Sequence, residues 1–439
     1  MDNSTKQHLS LEPDGSRQFV LRHTADLDPL MDRIGDAHHV LLGEATHGTH
    51  EFYTWRTAIS KRLITEKGFR FLAVEGDWPD CYRINRYIKG YADSDKQPAD
   101  VLAGFDRWPT WMWANWEIAA LVTWLKAHNT SLPANKRVGF YGLDVYSLWE
   151  SLDSLMSYLS EHTDHDVLAY VKDAISCFQP YDANEHRYAR AQHYQLDHSC
   201  QEAVIELLTA IRKRAPRYDH DPEASLNAEQ NAVIAVNAER YYRHMLGFDV
   251  NTWNLRDRHM MDTLNRLLHF HGPDAKVIVW EHNTHIGDAR YTDMVRTGDI
   301  NVGQLVREEK GEADTVLVGF GTYQGRVIAG DNWGAPMAEK DIPQAKEGSI
   351  EALMHRQSAE DRLLILGHPD HEHPFSGYLP HRAIGVVYEP VYEKRGNYVP
   401  TVLNRRYDCF VFIDETRALH PLHRQPDGAK IPETYPFTY

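Results

Sequence analysis

Glu44 and His47 stand three residues apart in the turn Gly43-Glu44-Ala45-Thr46-His47-Gly48. The turn follows a short apolar run, His39–Leu42, and precedes a helical pattern. It therefore sits at the carboxyl end of a strand, where α/β enzymes keep their chemistry. An imidazole accepts a proton near neutral pH, and a carboxylate beside it can hold one ring nitrogen and leave the other free. Arg56 lies between Phe52 and Ile59 at helical spacing, close to the buried face of that helix. A guanidinium there must meet a carboxylate or a substrate, because an unpaired buried charge is costly. Its two readings are an ion pair with Glu44 or Glu75 and a place in the site.

Later apolar runs end in the same way. Phe69–Val74 leads into Glu75, and Arg137–Tyr141 leads through Gly142-Leu143 to Asp144. Lys276–Trp280 leads into Glu281-His282-Asn283-Thr284-His285. Two carboxylates on neighbouring strand ends can divide acid and base labour, because repulsion separates their pKa values, or together they recruit a cation. Asp77, with Pro79 behind it, reads as the cap of the next helix. Asp144 reads either as a cap or as a pocket wall. His-x-x-His is an unspecific metal spacing here, since the glutamate of His-Glu-x-x-His is missing.

The elements that must position these residues alternate strand and helix from about Asp26. Further strand-like runs are Thr315–Phe320, Leu363–Leu366, Ala383–Val387 and Cys409–Ile413. Continuous apolar runs of this kind suit strands covered on both faces, and the intervening helices suit parallel βαβ units. The expected fold is α/β, a mostly parallel central sheet with flanking helices. Between Tyr141 and Lys276 the pattern is nearly all helical: Leu148–Leu159, Val167–Cys177, Tyr188–Ala215 and Asn227–Phe270, the last interrupted around Gly247–Thr252. The chain thus divides into a loose N-terminal arm (1–17, with a Pro13-Asp14-Gly15 turn), an α/β core (18–145 and 272–439), and a helical insertion (146–271) capping the strand ends. A separate helical domain is the alternative for that insertion. Gly330–Gly348 and His368–His381 read as long loops, and His371-Glu372-His373 as a solvated turn in the second of them.

Composition narrows the class. A net charge of −16 argues against a nucleic-acid or anionic-membrane partner, either of which needs a basic footprint. The N-terminal residues lack the apolar stretch of a signal peptide, and no run approaches the ~18 apolar residues of a membrane span. The four cysteines are far apart without C-x-x-C spacing, which suits a reduced cytosolic protein and predicts no disulfide framework. A cytoplasmic location follows. Serine-hydrolase chemistry lacks its G-x-S-x-G elbow, and neither a Walker loop nor a G-x-G-x-x-G fingerprint is present.

Taken in order, GEATHGTHEFYTWR, FLAVEGDWPD, WMWANWE, FYGLDVYSLWES, NLRDRHM, VWEHNTHIGDAR and VGFGTYQGRV resemble the erythromycin esterase family over roughly residues 36–420. The joint presence of G-E-x-x-H-G and W-x-H-N-x-H carries the resemblance. It implies a bacterial, metal-independent ester hydrolase, in some members an antibiotic-resistance enzyme opening the macrolide lactone. Essential residues of the family match Glu44, His47, Arg56, Glu75, His282 and His285, and Asp144, Trp113 and Arg256 are assigned to substrate binding. Glu281 stands where the resemblance leads one to expect a small residue. It either alters the charge of the pocket or points away from it.

On this reading His47 is a general base that activates water against an ester or lactone carbonyl, with Glu44 or Glu75 orienting its ring. Arg56, with His282 or His285, stabilises the oxyanion, and the other histidine protonates the leaving alkoxide. No cofactor and no metal is expected, the partner is a small-molecule substrate, and the oligomeric state is open. Two rivals keep the fold: a metal-dependent hydrolase using Glu44, His47, Glu75 and His282 as ligands, and a haem-binding protein. Tyr and Trp residues around Trp111–Trp116 and in the insertion either line an apolar cleft or pack the core.

Overall fold

Among the described residues, ten strands hydrogen-bond into one sheet, and their order brings the polar strand ends together. In a computed structural model, residues 8–11 and 16–422 are described, except 94, 162–163, 183, 195–198, 216–221, 248–249, 368–374 and 376. The strands are β1 (His8–Leu11), β2 (Arg17–Val20), β3 (His39–Leu42), β4 (Phe71–Val74), β5 (Gly139–Gly142), β6 (Val277–Trp280), β7 (Thr315–Ala329), β8 (Ala338–Ile342), β9 (Arg362–Ile365), β10 (Leu379–Arg382), β11 (Tyr398–Thr401) and β12 (Cys409–Thr416). The sheet runs β1-β2-β9-β12-β7-β3-β6-β4-β5, with β8 folded back on β7. From β12 to β5 all neighbours are parallel, while β1, β2 and β9 add an antiparallel edge. The chain is therefore α/β with a mostly parallel sheet.

β3 and β4 are consecutive parallel strands, yet β6 lies between them. The chain leaves from β5, runs through the helices between residues 148 and 271, and returns to fill the gap. Register fixes the outcome. Trp280 is level with Leu42 on one side and Val74 on the other, and Val74 is level with Gly142. The residues that follow these four strands consequently emerge at one edge of the sheet, at a topological switch point, the usual ligand crevice of open α/β sheets.

All residues of β3, β4, β5 and β6 are buried, because helices cover both faces. Side-chain alternation gives each face its own core. Leu41, Ala73, Tyr141, Val277 and Val279 join Leu152, Val171, Leu207, Ile234 and Leu264 of the intervening helices in one continuous cluster. Val40, Leu42, Leu72, Val74 and Ile278 face Phe52, Ile59 and Leu63 on one helix and Ile118 and Leu125 on another. The helices of 148–271 thus share the core of a sheet face, and no strand interrupts them among the described residues.

Several expectations need correction. Ala383–Val387 is not a strand: Gly385 breaks it, and Ile384 and Val387 make only isolated bridges to Thr46 and Gly330. This segment crosses the strand ends instead of joining the sheet. β10, starting inside the expected His368–His381 loop, pairs with β11 in a separate hairpin. Within Gly330–Gly348, β8 pairs with the long continuation of β7. His8–Leu11 belongs to an edge strand, not to a loose arm. The Pro13-Asp14-Gly15 turn and His371-Glu372-His373 lie outside the described residues. Asp77 occupies the N-cap position of the Trp78–Ile88 helix, but its carboxylate pairs with Arg107 at 3.0 Å instead of capping. No helix among the described residues is long and apolar enough to cross a membrane.

The cysteines also depart from expectation. Cys177, near the end of one helix, and Cys200, at the start of another, form a disulfide across 23 residues. Two thiols that far apart in sequence carry no spacing signal, because the intervening helix brings them together. A bridge closing a loop of this size contributes ~2–4 kcal/mol when oxidised. Cys200→Ser should lower the thermal midpoint of oxidised protein but leave that of fully reduced protein unchanged. Non-reducing peptide mapping that finds both thiols free after aerobic purification would remove the basis for this expectation.

Candidate active site

The turn after β3 carries the first group. His47 Nδ1 lies 2.9 Å from Glu44 Oε1, and Glu44 Oε2 accepts from Arg56 Nη2 at 2.5 Å. With the Nδ1 proton donated to the carboxylate, Nε2 is the basic nitrogen. Arg56 is fully buried on the helix His50–Lys67, its guanidinium 4.5 Å from the Tyr53 ring and 4.6 Å from that of Trp280. It sits behind Glu44 and acts through it. The Tyr53 hydroxyl donates to the carbonyl of His47 and bridges to that of Met112.

Main-chain bonds hold this turn. Ile328 N and Leu419 N each donate to the Gly48 carbonyl at 3.0 Å. A Cβ on Gly48 would stand 2.0 Å from the Ile328 carbonyl oxygen, so only glycine permits the approach. At Gly43 a Cβ would strike Asn283 Oδ1 at 2.1 Å. That Asn283 amide accepts from Phe320 N and donates to Phe320 O, which ties the turn after β6 to β7.

Glu75, after β4, is the second group. Its Oε2 accepts the His282 backbone N–H at 2.8 Å, and its Oε1 accepts from Arg256 Nη2 at 2.7 Å. Arg256 comes from the helix Thr252–His271 and also grips Asp144 bidentately, at 3.0 and 2.7 Å. Its Nη1 donates to His285 Nε2 at 2.9 Å. The opposite nitrogen of His285 donates to Asp257 at 2.9 Å, and the ring stacks on Trp253 with centroids 4.5 Å apart. Both nitrogens of His285 are therefore engaged.

His282 differs. Its Nδ1 accepts from the Thr284 N–H at 3.3 Å and lies 2.8 Å from the Thr284 hydroxyl, so the proton resides on Nε2. That Nε2 is buried with the Ala45 carbonyl near it but no well-formed hydrogen bond among the described residues, and the ring is 4.9 Å from that of His47. Burial and the neighbouring His47 push the His282 imidazole well below 6.5, so it is neutral at physiological pH. For His47, burial acts downward, but Glu75 and Glu44 outweigh it and hold the imidazole above 6.5. Glu75 stays ionised: burial would raise it, but Arg256, His47 and the His282 backbone N–H hold it well below the usual range.

Glu281 is buried on the insertion side of the sheet, as the alternation from Val277 and Val279 requires. Neither carboxyl oxygen has a hydrogen-bond partner among the described residues, and burial, reinforced by Glu75 and Asp257, pushes the group well above 4.5. The site buries five carboxyls (Glu44, Glu75, Asp144, Asp257, Glu281) against two guanidiniums (Arg56, Arg256). A neutral Glu281 and a readily protonated His47 relieve that excess.

The structure thus brings Glu44, His47, Arg56, Glu75, Asp144, Arg256, His282 and His285 together. Trp113 is different: it is buried, and its indole N–H donates to the Glu75 carbonyl at 3.1 Å, so it supports the strand end from the core. Trp111 is likewise core, whereas Trp116 is 58% exposed. Asp257, Trp253 and Thr284 were missed; only the adjacency of Asp257 to Arg256 and of Thr284 to His282 marked them in the sequence. A surface crevice of about 500 Å³ lined by His38, His39, His269 and Asp314 lies at the amino ends of β3 and β7, away from these residues.

Comparison with known proteins agrees with this architecture. The erythromycin esterase family profile matches residues 64–416, which include Glu75, Asp144, Arg256, His282 and His285 but begin after the Glu44–Arg56 turn. An erythromycin esterase type II from Escherichia coli is 24% identical over 76% of this chain and 82% of its own length. A putative hydrolase from Bacillus subtilis is 21% identical over 74% and 73%. Among solved structures, a protein from Bacillus cereus superposes with a TM-score of 0.73 at 20% identity, covering 92% of this chain and 94% of that one. A succinoglycan biosynthesis protein gives 0.70 at 22% identity over 91% and 95%. An erythromycin esterase mutant in its open conformation gives 0.65 at 16% identity over 90% and 95%. With four-fifths of its length matched by the profile and the same fold in three solved structures, the chain belongs to the erythromycin esterase family.

Proposed function

We propose that this chain hydrolyses an ester or lactone of a small molecule by general-base activation of water, without a serine nucleophile. The carrying observation is the facing pair of imidazoles in opposite roles: His47, its Nδ1 held by Glu44, and neutral His282, its buried Nε2–H making no well-formed hydrogen bond among the described residues. Water bound between His47 Nε2 and the carbonyl carbon loses its proton to Nε2 as the C–O bond forms. The carbonyl oxygen becomes an oxyanion and accepts from His282 Nε2–H. Collapse breaks the bond to the leaving oxygen, which takes the proton back from His47 and departs as the alcohol.

The other groups position. Arg56 pairs with Glu44 and aims it at His47. Glu75 fixes the His282 backbone, and Arg256, braced by Asp144 and His285, keeps Glu75 charged. Since both His285 nitrogens are occupied, the leaving-group proton is better assigned to His47 than to His285. The carboxylates a metal would need are already used by Arg56, Arg256 and backbone N–H, which favours the metal-free route over the metal-dependent rival. The Escherichia coli relative named for erythromycin makes macrolides the first substrates to try.

His47→Ala should lower kcat/KM at least ~10²–10³-fold while leaving the thermal midpoint within a few degrees of wild type. Turnover surviving at several per cent would exclude His47 as the base. The base must be neutral, so kcat/KM should rise with pH through an apparent pKa above 6.5 and then level off. A limb centred below 6.5 would contradict the assignment.

Glu281 predicts a separate pH effect on stability. Its folded carboxyl stays protonated above 4.5 while the unfolded one ionises, so it costs stability increasingly as pH rises from there. Glu281→Gln should therefore match wild type in acid and become progressively more stable than it as pH increases past 4.5. Parallel melting curves across that range are the check; a constant difference would mean that Glu281 ionises normally.

A further inference from the structure

Near the active turn, but separate from it, three ligand-type side chains converge from three segments. His50 opens the helix His50–Lys67, Glu117 lies in the first turn of the helix Trp116–Thr130, and His420 follows β12. His50 Nδ1 is 2.5 Å and His420 Nδ1 2.6 Å from the same oxygen, Glu117 Oε1. The three candidate ligand atoms all lie within 4.8 Å of one another. The Glu117 side chain is only 4% exposed, His50 is 21% and His420 58%, so the carboxylate forms a floor and the open side faces solvent.

We propose that His50, Glu117 and His420 bind a divalent transition cation of the zinc class. Two imidazoles and one carboxylate are the ligand set zinc prefers, and three protein ligands leave a fourth position for water on the exposed side. The nitrogen donors argue against calcium or magnesium, which take oxygen. Zinc–ligand bonds of ~2.0–2.2 Å place donor atoms farther apart than the present hydrogen bonds do, so both imidazoles, the exposed His420 and the partly exposed His50, must withdraw from Glu117 Oε1 by about 1 Å. Each neutral imidazole then carries its proton on Nε2 and gives its Nδ1 lone pair to the cation, so no other group has to change protonation.

The site would act as a clasp. Arg417–Leu422 runs between two turns: Leu419 N bonds Gly48 O, His50 N bonds Arg417 O, Trp116 N bonds His420 O and Leu422 N bonds Ala114 O. One of these turns carries His47. The other adjoins Trp113, which supports Glu75. A cation shared by His50, Glu117 and His420 would lock both supports to the same segment. The inference stands whether or not the ester chemistry is correct.

The test uses the full chain stripped of metal by chelator and dialysed, titrated with Zn²⁺ by calorimetry and with Co²⁺ by visible absorption. Wild type should take up one strong equivalent, show the intense ligand-field bands of a four-coordinate cobalt site, and melt at a higher temperature with Zn²⁺. His420→Ala, on an exposed side chain, and Glu117→Gln should each weaken that equivalent by more than the ~10–100-fold typical of losing an outer partner. They should also abolish the cobalt bands and the midpoint shift, with far-ultraviolet circular dichroism reporting that the fold is retained. The proposal is overturned if wild type has no strong equivalent, because the cluster is then a hydrogen-bonded clamp only. It is equally overturned if folded His420→Ala keeps the same affinity and cobalt spectrum, because the metal then sits on other histidines.

Discussion

A buried carboxylate must be paired, and in this fold the obligation is met from a distance. Glu75 and Asp144 end adjacent parallel strands with no basic residue of their own strands to hand, and Arg256 reaches both from a helix more than a hundred residues later. Without that guanidinium two negative charges would stand side by side in a low-dielectric edge, an arrangement costly enough to neutralise one of them. The excursion of the chain from β5 to β6 is therefore an electrostatic component of the sheet as well as a covering layer. His285, Asp257 and Trp253 belong to the same device, because they fix the guanidinium in one orientation.

The second constraint is topological. Returning from the helices to insert β6 between β3 and β4 puts His282 beside both the His47 turn and Glu75. A β6 strand added at the outer edge would have left the two imidazoles on opposite sides of Glu75. The central position also explains the unequal states of the histidines. Both rings are buried; His47 looks toward two carboxylates that outweigh its burial and draw it upward, whereas for His282 burial, reinforced by His47, draws it down.

Much of this was legible in the sequence, for a physical reason. Strands buried on both faces are continuous apolar runs, so the first polar residue after each run marks a strand end; Glu44, Glu75, Asp144 and Glu281 carry that mark, and His282 stands next to the last of them. Arg56 was legible because helical spacing placed a charge near an apolar face. What escaped depends on tertiary proximity alone: Asp257 behind His285, Glu117 between two histidines, Cys177 opposite Cys200. Ala383–Val387 misled because an apolar β-branched run that crosses strand ends is indistinguishable in composition from one that joins the sheet. Trp113 misled for the converse reason, since an indole can support a backbone carbonyl as readily as it can line a cleft.

The position of His47 is set largely by main chain: Gly48 pressed against the backbone of Ile328, and amides of two other segments donating to a single carbonyl. Peptide groups are common to every residue type, so such an anchorage survives wholesale replacement of the surrounding side chains. Glycine at that one position is the only side-chain requirement it imposes. This separates the evolutionary drift of the core from the geometry of the base. A chain sharing as little as a sixth of its residues with this one can then keep the common fold while the side chains packed around it differ.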